Sequence, residues 1–85
     1  MITDKEILKK QIIYRSEHRG TKEMDLLLGN FVRKHVNDFN IADLKDLQQL
    51  LLIEDEIIHN WYFQNSTKNN VPKTKVSEML KKFRI

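Results

Sequence analysis

Two stretches of this chain place chemically capable side chains at helical spacing. In Glu56-Ile57-Ile58-His59, a carboxylate and an imidazole lie three residues apart, so on a helix both point the same way. Carboxylate-bridged di-metal bundles use that pair, but in two copies and with two further carboxylates. The chain has one copy, which reads as a solvated helix face. His18, His35 and His59 lack the His-x-x-x-His spacing of helical zinc sites. With no Cys, thiol catalysis, disulfides and cysteine metal sites are excluded. Ser16, Ser66 and Ser77 sit in no Gly-x-Ser-x-Gly elbow, so no serine nucleophile stands out. Glu17 and Glu23 are spaced for acid–base work, yet acids near helix ends more often cap or form ion pairs.

The second stretch is Tyr14-Arg15-Ser16-Glu17-His18-Arg19-Gly20-Thr21-Lys22-Glu23. Arg15, His18, Arg19 and Lys22 offer cations; Glu17 and Glu23 offer acids. Gly20 is expected to bend the chain in the left-handed conformation that follows a helix end. An Arg19–Glu23 ion pair across the turn would fix the corner. Alternatively, a rigid corner displays a guanidinium fork and a carboxylate to another molecule. The second reading suits a small protein with little room for a pocket of its own.

The elements that must carry this corner are helices. Two Gly and one Pro are too few for a turn-rich β fold. Thr3 with Glu6 reads as a capping box for a first helix, with Ile7, Leu8, Ile12 and Tyr14 or Gln11 on its apolar side and its end near His18. Thr21 caps a second helix, whose Met24, Leu27, Leu28, Phe31, Val32 and His35 form one face. Gly29 inside it costs about 1 kcal/mol against Ala, which suggests a close helix–helix approach. Asn40 caps a third helix, with Leu44, Leu47, Leu50 and Leu51 inward. Asp55 is expected to cap a fourth, carrying Ile57, Ile58, Trp61 and Tyr62. Neighbouring side chains on a helix diverge by about 100°, so Trp61, Tyr62 and Phe63 cannot all face one core. They form either a satellite cluster or an anchor for another protein. Asn65-Ser66-Thr67-Lys68-Asn69-Asn70-Val71-Pro72 reads as a loop, and Thr74 caps a last helix with Val76, Met79, Leu80 and Phe83. The expectation is an all-α, single-domain bundle of about five short helices over residues 1–85.

The net charge of +3 hides an uneven pattern. Residues 1–34 carry +3, residues 35–66 carry −5 and residues 67–85 carry +5. An acidic middle between two basic ends is not the continuous basic stripe of a nucleic-acid binder. No apolar run approaches the roughly 18 residues of a membrane span.

Arg19-Gly20-x-x-Glu23, followed by Asp25-Leu26-Leu27-Leu28 and Phe31 and preceded by Tyr14 and Ser16, resembles the signature of the SdhE family, also called succinate dehydrogenase assembly factor 2. A second segment, Leu50-Leu51 through Asp55, Ile58 and Trp61, is similar to the family's aliphatic pair, acid, aliphatic and Trp. The matches run in order over residues 14–61. Three positions depart from the pattern: His18 stands where the family has a first arginine, Thr21 where Met follows the glycine, and Met24 where a Leu precedes the aspartate.

The resemblance implies a five-helix assembly factor, not an enzyme, with no cofactor of its own. Its partner would be the flavoprotein subunit of succinate dehydrogenase or fumarate reductase, on which it promotes covalent attachment of FAD. It implies further that Arg19, Gly20 and Glu23 meet that subunit, with Gly20 allowing close backbone approach. Arg15, His18, Asp25 and Trp61 are further candidates, Asp25 and Trp61 reading equally well as an internal cap and a core edge. A free monomer in a bacterial cytoplasm is expected, since no Arg-rich amphipathic leader is visible. The alternatives are an antitoxin-like regulator that binds a protein without any flavin role and a nucleic-acid binder using the +5 C-terminal stretch.

Overall fold

The helices form where the caps and the apolar spacing place them. The computed structural model describes residues 3–64 and 71–84. It contains α1 (Asp4–Glu17), α2 (Lys22–His35), a single 3-10 turn (Val36–Asp38), α3 (Ile41–Leu51), α4 (Asp55–Phe63) and α5 (Lys75–Lys82). Among the described residues there is no strand, and the protein is an all-α bundle of five helices.

Thr3, Thr21, Asn40 and Thr74 each precede a helix and accept a hydrogen bond from a backbone N–H three residues on. These bonds satisfy donors that the first helical turn leaves without a partner. The reciprocal box expected at Thr3 and Glu6 forms instead at α5, where the Thr74 N–H donates to Ser77 Oγ at 2.8 Å. The six positions 65–70 of the expected loop, with Met1, Ile2 and Ile85, lie outside the described residues.

One hydrophobic cluster joins all five helices. The inner faces of α2 (Met24, Leu27, Leu28, Phe31, Val32) and α3 (Leu44, Leu47, Leu50, Leu51) are fully or almost fully buried. Ile12 of α1, Ile58 of α4, and Val76 and Leu80 of α5 complete it. Helix α1 lies against α2 and α3, and α5 lies against α3. His35 is half-buried within an aromatic group of Phe31, Phe39 and Phe83.

Four expectations are corrected. Ile7 and Tyr14 of α1 face solvent, while Ile13 and Ser16 turn inward, because α1 fits between two helices along a narrower line than its apolar residues suggest. The buried Ser16 hydroxyl is satisfied locally by the Ile13 carbonyl at 2.8 Å. Gly20 is not in the left-handed region, so conformational freedom is not its reason. Gly29 faces α1, but a methyl group there would meet its nearest neighbours at 3.6–3.9 Å, ordinary packing distance. Asp55 does not cap α4: Glu54 holds that position without a side-chain bond, and the Asp55 carboxylate points to the α1–α2 corner. As expected of the aromatic run, its three members diverge. Trp61 and Tyr62 pack against the core and Phe63 is exposed.

Candidate functional site

The corner between α1 and α2 is held from three directions, and Arg19 is the hub. Its side chain reaches back under the chain to the turn joining α3 and α4. Nε donates to Asp55 Oδ1 at 2.7 Å, Nη1 to the Leu51 carbonyl at 2.6 Å and Nη2 to the Ile53 carbonyl at 2.9 Å. Nη2 also lies 2.5 Å from Asp55 Oδ1. A planar fork spreads its donors over three nitrogens and so reaches three separated acceptors at once, whereas an ammonium's three donors all radiate from one nitrogen. The Arg19 side chain is 9% exposed and that of Asp55 20%, so this pair sits mostly out of water, where charge-assisted bonds are strong.

The backbone of the corner is tied down by two carboxylates. The Arg19 N–H donates to Asp25 Oδ1 at 2.7 Å, across the first turn of α2. The Gly20 N–H donates to Asp55 Oδ2 at 2.5 Å. That approach leaves no room for a side chain at Gly20: a Cβ would lie 2.9 Å from Asp55 Oδ2.

On the near side, the end of α1 is closed by His18. Its Nδ1 lies 2.7 Å from the Tyr14 carbonyl, and since that oxygen only accepts, the nitrogen carries the proton. The His18 ring stacks on Tyr14 with centroids 4.0 Å apart. The expected Arg19–Glu23 ion pair is not formed, because Arg19 turns inward to Asp55. Glu23 stands exposed on the first turn of α2 and makes no ion pair with a described residue. Arg15 is likewise exposed and free of such pairs.

The structure thus gathers Arg19, Gly20, Asp25 and His18 into one braced corner and leaves Glu23 and Arg15 on its surface. Trp61 is not part of it. It lies two turns into α4, about 9 Å along the axis from Asp55. There it packs against the core under the Lys81 ammonium, which is 4.8 Å from its ring centre. Of the residues that shape the corner, sequence reasoning misplaced Asp55, taking a long-range brace for a local cap. The one signal in the sequence was that this acid belongs to the second matching segment, as the arginine belongs to the first. Glu56 is exposed and the His59 ring packs on Phe63; among the described residues no three groups are clustered to hold a metal ion.

The fold and this corner define a small helical protein that presents a pre-organised polar turn to its surroundings. The chain belongs to the Sdh5 family, described as flavinator of succinate dehydrogenase, whose family model matches residues 10–84. It is similar to succinate dehydrogenase assembly factor 2, mitochondrial, of Scheffersomyces stipitis, 39% identical over 77 residues, which are 89% of this chain and 52% of that protein. The protein of the same name in Dictyostelium discoideum is 36% identical over 80 residues, 94% of this chain and 55% of the relative. FAD assembly factor SdhE of Acetobacter pasteurianus is 28% identical over 74 residues, 87% of this chain and 65% of the relative. The chain spans about half the length of the first two relatives. No solved structure matches it. The expectation of a bacterial cytoplasmic location is overturned by the relatives named mitochondrial, in Scheffersomyces stipitis, Meyerozyma guilliermondii and Dictyostelium discoideum. No described helix is long and apolar enough to cross a membrane.

Proposed function

We propose that this chain binds the flavoprotein subunit of succinate dehydrogenase and promotes covalent attachment of FAD to it. In this reading it is an assembly factor and not an enzyme. FAD belongs to the partner subunit, and a fumarate reductase flavoprotein is a second partner of the same kind. The family description and the relatives' names support the flavin role. One observation of the structure carries the docking site: Glu23 stands exposed, with no ion pair to a described residue, on the first helical turn after a corner that Arg19 and Asp55 hold rigid. A carboxylate displayed from a rigid backbone loses side-chain freedom alone on binding, not backbone freedom as well, so more of its interaction energy appears as affinity.

What such a factor supplies is geometry. Attachment requires FAD held close to its target side chain and in the right orientation. A partner that binds only the competent arrangement of the subunit raises the population of that arrangement. Neither a flavin pocket nor a reactive group of this chain is needed for that role. The free protein is a monomer in this reading. Its exposed large apolar side chains, including Ile7, Leu26, Ile41 and Phe63, are spread over four helices.

The test is co-expression of the flavoprotein subunit with and without this chain, reading covalent flavin by in-gel fluorescence of the denatured subunit. Flavin fluorescence that depends on the chain, and that is lost with Glu23→Ala while the variant stays folded, is the expected result. Undiminished fluorescence with Glu23→Ala refutes the assigned docking residue. Capture of another protein, with no flavoprotein bound and no effect on flavin, supports the antitoxin-like regulator. Affinity for DNA that falls steeply with salt supports a nucleic-acid role.

A further inference from the structure

We infer that Asp55 is a positioning residue of the docking site, and that position 20 must be glycine because of Asp55 rather than because of the partner. This inference rests on the proposed flavinylation role for its functional half. Its structural half stands on the geometry alone.

Three facts meet at one carboxylate. Asp55 Oδ1 accepts from Arg19 Nε, and Oδ2 accepts from the Gly20 N–H at 2.5 Å. A Cβ on residue 20 would lie 2.9 Å from that same Oδ2. A clash with the tip of an aspartate is ordinarily relieved by a small rotation of the side chain. Here rotation is not free, because the carboxylate is gripped by the guanidinium and the backbone amide together. Any side chain at position 20 therefore breaks one or both of those bonds. The consequence runs along the chain. Residue 20 leads directly into Thr21, the cap of α2, and Glu23 sits on the first turn that this cap starts. Freeing residue 20 changes the entry angle of α2's first turn, and with it the direction in which Glu23 is displayed. Asp55 touches neither the partner nor FAD in this scheme; it acts through Arg19 and Gly20.

The experiment compares Asp55→Asn, Gly20→Ala and the double variant with the wild-type chain. Each is assayed with the flavoprotein subunit and FAD for the initial rate of covalent attachment and for the chain concentration giving half that rate. The 1H–15N spectrum of each free variant reports the backbone amide of residue 20, whose proton is shifted by its bond to a carboxylate, and confirms folding. Asp55→Asn keeps the shape of the side chain and removes its charge. The expected result is a folded protein with a displaced residue-20 amide resonance and a rise of about tenfold or more in the half-rate concentration, the loss expected when one important interface contact is misplaced. Gly20→Ala keeps every polar group, so it serves where Asp55→Asn does not fold. It is expected to give the same defect and, with Asp55→Asn, to displace the Arg19 Nε–H resonance, which reports the same carboxylate without a change of residue type. In the double variant the alanine should add little to the loss from Asp55→Asn, since both changes break one bond. The inference is overturned if Asp55→Asn or Gly20→Ala moves the Arg19 Nε–H resonance yet leaves the half-rate concentration within about twofold of wild type. It is also overturned if the two effects multiply independently, as they do for residues that do not share an interaction. Glu23→Ala, run in parallel, reads the docking proposal separately. A full rate there removes the functional role, while the coupling of residues 20 and 55 in thermal stability still decides the structural half.

Discussion

Arg19 and Asp55 lie 36 residues apart in the chain, and their side chains are joined by a 2.7 Å hydrogen bond from Nε to Oδ1. This pair locks the α1–α2 corner to the α3–α4 turn. With the two carbonyl bonds of the same guanidinium, it connects elements that local sequence keeps separate.

Removing Arg19 should strongly destabilise the protein. Arg19→Ala leaves the Asp55 carboxylate mostly buried without its cation, a situation that costs about 3–5 kcal/mol. Since 1 kcal/mol corresponds to about 4–8 °C in a domain of this size, thermal melting should show a fall of well over 10 °C. Arg19→Lys keeps the charge but cannot span three acceptors, so an intermediate loss is expected. A melting temperature unchanged in Arg19→Ala would show that the brace does not form.

The same chemistry at the surface should matter far less. Arg33 Nη1 and Glu17 Oε1 are 2.9 Å apart, but their side chains are 56% and 38% exposed. Exposed pairs contribute about 0–1 kcal/mol and are screened by salt. Glu17→Gln is therefore expected to lower stability by less than about 1 kcal/mol, and the difference should shrink in high salt. A larger loss in urea unfolding would mean that this pair links α1 to α2 more firmly than its exposure implies.

Gly29 is expected to tolerate alanine. The nearest atoms to an added methyl group, in Arg33, Ser16 and Glu17, stand at van der Waals distance. With no clash, the helical preference of Ala should dominate, raising stability by about 0.5–1 kcal/mol. A destabilised Gly29→Ala would place α1 closer to α2 than these distances. The contrast with Gly20, where alanine has no space, makes the two glycines a matched pair of controls.

The start of α5 depends on reciprocal bonds between Thr74 and Ser77. Thr74→Ala should cost about 1 kcal/mol, the usual loss when a capping oxygen is removed. Hydrogen exchange should locate the effect in α5 as faster exchange at the Ser77 amide. Uniform change across all five helices would instead indicate that α5 does not open separately.

The helices, four of their caps and the inner faces of α2 and α3 are determined by the sequence itself. Each depends on residues within about four positions of one another, and short-range geometry is the same in any chain that repeats the spacing. The α1 face was only partly legible, since Ile7 and Tyr14 have the right type and spacing but no helix covers them. The corner is different. Arg19, Gly20 and Glu23 were visible as a motif, but their division of labour was not. Arg19 faces inward, Glu23 outward, and the small size of Gly20 serves a carboxylate from a distant turn. Asp55 stands in the sequence where a cap would stand, and nothing within four residues of it says otherwise. Only the docking of the α3–α4 turn beneath the α1–α2 corner decides its role. The bonds made there span more than 30 residues and exist only when the core has brought α1 against α3.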